Sequence, residues 1–326
     1  MVWRVLDDNG GSIGQSIVFY DSIWRPSPVH AFMVTPMRLI LSRKGFDSSA
    51  GGCPSPVLPD SSLCVLPIPD DQSRIRYDEV RFGERRLGKL VRDLSGGRVR
   101  GGDGAHLDPD LIADAYPRQG GWRPVLGQTG SAQGHLRNQG VAPGDLFLFF
   151  AVFRQAELWR RRWRFVPGSR PFHAIWGWLH IADIHSIDAL PENALPWARY
   201  HPHFHGQPDA GNTLYVASNE FRLPEQRQVL PGSGVFTRFD ERLLLSDPDA
   251  RLPTQWRLPA GFYPGAARVP LSYHARADRW QLAPPWCYLK GAARGQEFVL
   301  DLAAYPELEP WLAALVRTAR GDPPPP

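Results

Sequence analysis

Leu146-Phe147-Leu148-Phe149-Phe150-Ala151-Val152-Phe153 is an unbroken apolar run entered from the tight turn Pro143-Gly144-Asp145. It is far shorter than the roughly 20 residues that cross a bilayer. Its aromatic and branched residues suit a pleated surface, and the lack of polar alternation predicts a strand covered on both faces. Downstream, Trp159 to Val166 and Phe172 to Ile184 repeat this composition between short polar or Gly/Pro turns, so the middle of the chain reads as an antiparallel meander. Thr213 to Ser218 predicts a further strand, and Val235 to Phe239 and Trp286 to Leu289 complete or cover the sheet.

Upstream, Arg38-Leu39-Ile40-Leu41-Ser42 reads as a buried strand that ends in the basic turn Arg43-Lys44-Gly45-Phe46-Asp47. Residues 1–36 show no sustained period, which makes Met37 the expected natural start and 1–36 an N-terminal extension. A single domain is expected over 37–322, with the prolines of 323–326 as a disordered tail. Leu87, Leu90, Val91 and Leu94 mark one face of a short helix closed by Gly96-Gly97. Ser131–Gln139 and Leu308–Ala319 predict two more helices, and Asp108-Pro109-Asp110 predicts another start, with Asp108 as cap and Pro109 at the first helical position. The expected class is α+β: a mainly antiparallel, twisted sheet or partly closed barrel with short flanking helices.

Composition narrows the function classes. Among 326 residues, 37 basic against 33 acidic side chains give a net charge of +4, modest for a nucleic-acid coat. Only three of the basic residues are lysines (Lys44, Lys89, Lys290). With 31 Gly and 33 Pro, long coiled coils are excluded in favour of turns. Cys53, Cys64 and Cys287 are too scattered for a disulfide framework or a C-x-x-C metal pair, so a reducing, cytoplasmic setting is expected, with no membrane partner.

Four segments carry chemistry. Arg43, Lys44 and Gly45 place two cations and permissive backbone at a strand's C-terminal end, where open sheets bind ligands; the competing reading is an ordinary solvated turn. Gly127 to Leu136 offers Gln128, Gln133 and His135 beside glycines that let backbone N–H groups approach an anion, or is a plain connector. In an extended segment His201, His203 and His205 share one face and can bind a metal, position a phosphate or move protons, or are structural. Without an H-E-x-x-H helix or a cysteine pair, no metal is assigned to them. Arg160, Arg162 and Arg164, interleaved with Trp159 and Trp163, suit stacking and phosphate pairing, or guard a hairpin edge. His106-Leu107-Asp108-Pro109-Asp110 reads as helix capping in preference to acid–base chemistry. No Walker, nucleophile-elbow, kinase or G-x-G-x-x-G signature occurs.

The ordered set Arg38 to Asp47, Gly51-Gly52-Cys53-Pro54-Ser55-Pro56, Leu66-Pro67-Ile68-Pro69, Gly127 to Leu136, Gly144 to Phe150, Ile175-Trp176-Gly177-Trp178-Leu179 and His201-Pro202-His203 resembles the nucleotide modification associated domain 3 family, over residues 37 to about 300. The resemblance implies a bacterial or phage setting and association with DNA base modification or defence systems, including partners from such an operon. It supplies no catalytic residue and no cofactor. The Gly144-Asp145 entry is similar to that of PUA-like base-binding barrels. On the residues themselves, Asp47, His135, His201 and His203 are the expected catalytic groups, and Arg43, Lys44, Gly45, Gln128 and Gln133 the expected substrate contacts, all converging on one pocket for a nucleotide or nucleic-acid base. Arg160, Arg162 and Arg164 are the expected nucleic-acid contacts. An enzyme and a non-catalytic module that recognises modified bases both remain open.

Overall fold

The computed structural model describes residues 37–224, 228–292 and 297–319. The expected extension over 1–36 and tail over 323–326 lie outside the described residues. In chain order the elements that matter are β1 (Arg38–Arg43), β2 (Ser55–Val57), β3 (Ile68–Pro69), α1 (Leu87–Leu94), β4 (Ala105–His106), β5 (Val125–Gln128) and α2 (Gly130–Asn138). There follow β6 (Leu146–Trp159), β7 (Arg162–Phe165), β8 (Phe172–Ser186), β9 (Thr213–Ala217), β10 (Ser233–Val235), β11 (Gln255–Pro259), β12 (Trp280–Ala283), β13 (Trp286–Lys290), β14 (Glu297–Asp301) and α3 (Glu309–Thr318).

A nine-stranded sheet runs β14-β1-β6-β8-β9-β5, with β2 and β7 also paired to β6 and β10 to β8. The apolar run lies at its centre. From Leu146 to Ala151 every residue of β6 is buried, because both faces are covered; beyond that, burial becomes partial and the strand leaves the core as a hairpin with β7. The meander is antiparallel as expected, with Phe172 opposite Phe153. β1 adds a parallel neighbour, Leu39 opposite Leu146 through Arg43 opposite Phe150, and β14 closes the other side of β1 antiparallel. α1 buries Leu87, Leu90, Val91 and Leu94 against a second core with Phe46 and Tyr77. The fold is therefore mixed α/β, mostly sheet with few helices. Among the described residues no helix is long and apolar enough to cross a membrane.

Two expectations need correcting. The sheet does not close into a barrel: β14 and β5 are its two ends and share no backbone ladder among the described residues. They meet through side chains instead, with Gln128 Nε2 donating to Glu297 Oε1 at 2.5 Å. Asp108-Pro109-Asp110 begins no helix. Asp110 and Val125 exchange backbone hydrogen bonds of 2.9 and 3.0 Å, which holds this segment extended beside β5.

The fold also buries two imidazoles in their neutral form. His173 Nδ1 accepts the Trp256 indole N–H at 2.9 Å, and His274 Nε2 accepts the Ala292 N–H at 2.9 Å, so each needs an unprotonated nitrogen. Burial pushes His173 down to about 3 and His274 down to about 4, from an ordinary 6.5. Because the folded values lie below the unfolded one, this contribution to stability is complete above about pH 6.5 and is lost as pH falls toward 4. The urea midpoint is expected to drop steeply across that window. A midpoint that stays flat there contradicts the neutral-imidazole assignment.

Candidate functional site

The seam between β14 and β5 is where the reactive side chains gather. β1 ends at Arg43, and Lys44 N–H still bonds Phe150 O at 2.9 Å, which fixes the next residue against the sheet. Gly45 then turns the chain at φ +102°, a conformation that favours glycine. The Lys44 ammonium lies 3.6 Å from Glu297 Oε1 and 3.8 Å from Asp108 Oδ2. Asp108 follows β4, whose pairing with β3 sets its direction. One of its oxygens, Oδ1, accepts the Gly127 N–H at 2.6 Å and stands 3.3 Å from His201 Nε2. The other, Oδ2, faces His106 Nε2 and His203 Nε2, each at 4.0 Å. The far nitrogens of these rings are anchored: His106 Nδ1 to Asp70 Oδ2 and His203 Nδ1 to Asn212 Oδ1, both at 2.8 Å.

This buried charge is internally compensated. Burial raises Asp108, but the His201 contact, the Lys44 ammonium and the charges of His201 and His203 outweigh it and hold the carboxyl well below the usual range. Burial raises Glu297, with Lys44 opposing. His203 is pushed down to about 4, by burial first, with Asp108 opposing and its two neighbouring histidines adding to the fall. The hydrogen bond from His106 lowers Asp70. Near neutral pH the cluster thus presents an ionised Asp108 beside a neutral His203.

Above the cluster is a cavity of about 410 Å³ lined by Arg43, Lys44, Gly45, Asp47, Ser49, Ala50, Ile68, His106, Asp108, Gly127, Gln128, Thr129 and His203. A mainly apolar cavity of about 620 Å³ shares Gly45 and Asp108 with it and is walled by Leu63, Val65, Leu111, Trp176 and Phe236. The polar cavity falls in the size range of small-ligand sites. Its constellation of two imidazoles and one carboxylate can transfer protons or ligate a divalent cation.

Of the residues singled out in the sequence, Arg43, Lys44, Gly45, Asp47, Gln128 and His203 reach this cavity, and His201 touches Asp108 from behind, fully buried. Several of them are also engaged within the protein. Asp47 Oδ1 is held by the N–H groups of Ser49 and Ala50, each at 2.8 Å, and its other oxygen faces Arg43 at 3.8 Å, so it shapes its own loop. Gln128 spends its amide on Glu297 and on the Thr129 N–H. Gln133 and His135 do not join the cavity: Gln133 is buried on the Tyr215 hydroxyl at 2.9 Å, and His135 bonds Ser272 Oγ at 2.9 Å and packs on Tyr273. The three histidines of 201–205 are not aligned on an extended face, because Pro202–Phe204 forms a 3₁₀ turn. His201 and His203 still meet at Asp108, while His205 is absent from the cavity wall. Arg160, Arg162 and Arg164 sit on the β6–β7 hairpin and line neither cavity; Arg160 and Arg164 lie over the Trp159 ring, and Arg164 pairs with Glu157 at 2.8 Å. His106 and Asp108 were read as part of a helix cap, and Glu297 and Asn212 carried no reading. The alternation His106-x-Asp108, which puts both side chains on one face of an extended segment, was the available signal.

The model of the nucleotide modification associated domain 3 family matches residues 38–301, and the chain belongs to that family. No curated protein and no solved structure matches the chain.

Proposed function

We propose, for this member of a nucleotide modification associated family, an enzyme that acts on a nucleotide or a nucleic-acid base held in the 410 Å³ cavity. The observation that carries the reading is the enclosed, charge-compensated cluster of His106, Asp108 and His203 on the cavity floor. Binding alone does not call for such a cluster, since burying it sets desolvation against pairing. Arg43, on the rim, is the phosphate contact, and its fork suits a bidentate anion. Lys44, already shared between two carboxylates, holds the floor in place instead.

Calorimetric titration with nucleoside mono-, di- and triphosphates tests this. Arg43→Ala is expected to weaken nucleotide binding roughly 10- to 100-fold, the worth of a charge-assisted hydrogen bond. Mass spectrometry of nucleosides after incubation reads the reaction, which His203→Gln is expected to abolish. The alternative, a module that reads nucleic acid, draws on the exposed Trp159 flanked by arginines. It wins if Arg160→Ala/Arg162→Ala removes salt-sensitive DNA binding while Arg43→Ala and His203→Gln change nothing.

A further inference from the structure

We propose that His106, Asp108 and His203 form a binding site for a divalent first-row transition cation. One ligand atom from each residue lies within 4.8 Å of the other two. Asp70 Oδ2 is an acceptor 2.8 Å from His106 Nδ1, so in the neutral ring the proton sits on Nδ1 and Nε2 is the ligating nitrogen. The same holds for His203, whose Nδ1 faces Asn212 Oδ1 at 2.8 Å. The Asn212 amide cannot be turned round to reverse this, because its Nδ2 donates to the His203 carbonyl at 2.9 Å. In that tautomer the two Nε2 acceptors each lie 4.0 Å from one carboxylate oxygen, beyond hydrogen-bond reach of it.

Three potential ligand atoms this close together are further stabilised by a cation among them. Lys44, 3.8 Å from the same oxygen, is a partial answer, but it also serves Glu297. The arrangement has the outer hydrogen bonds that metal-ligating histidines regularly make, a carboxylate behind one ring and an amide behind the other. An ion at the centre needs to draw the three atoms inward by only about 0.3–0.5 Å to reach bonds of about 2.0–2.2 Å. Imidazole and carboxylate together favour transition ions over magnesium, and the remaining positions open on the cavity that these residues line. His201, fully buried, backs the site from the other side, with Nε2 3.3 Å from the second Asp108 oxygen, Oδ1.

The proposal stands apart from the nucleotide reading and is tested with metal alone. Full-length protein stripped by a chelator and dialysed is titrated with Co²⁺, then Zn²⁺. One equivalent of Co²⁺ is expected to produce ligand-field absorption that Zn²⁺ abolishes, with two paramagnetically shifted imidazole N–H resonances, those of His106 and His203. His106→Ala and His203→Ala are each expected to lose at least 10-fold in affinity, and the positioning variant Asn212→Ala 10- to 100-fold. Wild-type protein that takes up neither ion overturns the site, as does a cobalt complex without the two N–H resonances or undiminished affinity in folded histidine variants. Metal uptake without nucleotide binding leaves this site standing and removes only the assignment of the ligand.

Discussion

Lys44→Met is expected to destabilise the fold by about 3–5 kcal/mol at pH 8, the range for breaking a buried ion pair by deleting one partner. The cation is shared: its ammonium is 3.6 Å from Glu297 and 3.8 Å from Asp108, and both carboxylates are buried. Methionine keeps the stem and its packing, so the loss isolates the charge. Glu297 makes the effect depend on pH. Its folded value is raised by burial, with Lys44 as the opposing influence, so removing the cation raises it further. A carboxyl raised in the folded state takes up a proton as pH falls, and the folded form then recovers stability relative to the unfolded chain. The deficit against wild type is therefore expected to be smaller at pH 5 than at pH 8. Urea denaturation of both proteins at the two pH values measures it. A deficit under about 1 kcal/mol at pH 8, the size of an exposed pair, or one equal at both pH values, removes Lys44 as the clamp of the seam.

That seam explains what the sequence could and could not reveal. The central strand was legible because a run such as Leu146–Phe153 has few alternatives to a strand covered on both faces. Lys44 was legible as a group at a strand's end. α1 and α3 were legible from their apolar spacing and α2 from the glycines that bound it, Gly130 and Gly140, and all three fall within a residue or two of the expected bounds. Asp108 was not, because Asp-Pro-Asp has a good local explanation in capping, and the competing pull is tertiary: a backbone exchange with Val125 and the Gly127 N–H. Glu297 had no local sign at all, since its partner Gln128 lies 169 residues away. His201 and His203 were expected on one extended face and are arranged otherwise, because Pro202, at home in a first helical turn, bends the segment. His135, a polar residue beside glycines at a helix start, bonds Ser272 and packs on Tyr273, away from the cavity lining.

Gly127→Ala is expected to do more harm than its single methyl group suggests. The residue lies within β5, with Leu214 opposite, so its backbone conformation suits alanine. Space is what it lacks: a Cβ built there overlaps the His203 ring, against carbons Cδ2 and Cγ and nitrogen Nε2. That ring cannot simply swing away, because Nδ1 is tied to Asn212 and the Asn212 amide is tied back to the His203 carbonyl. Either the ring shifts and the Asn212 bond breaks, or β5 moves and the Gly127 N–H leaves Asp108. Overpacking of this kind costs about 1–3 kcal/mol, and a misplacement of about 1 Å at a reacting group costs on the order of 100-fold in rate. Gly134→Ala is the control. It lies inside α2 with nothing within 4 Å of the new Cβ, so alanine is expected to stabilise by roughly 0.5–1 kcal/mol through helix propensity. Urea midpoints separate the two signs, and the hydrogen-bonded imidazole N–H resonance of His203 is expected to vanish in the Gly127 variant alone. A Gly127→Ala protein as stable as wild type, with that resonance in place, shows that the β5 backbone does not hold His203 against Asp108.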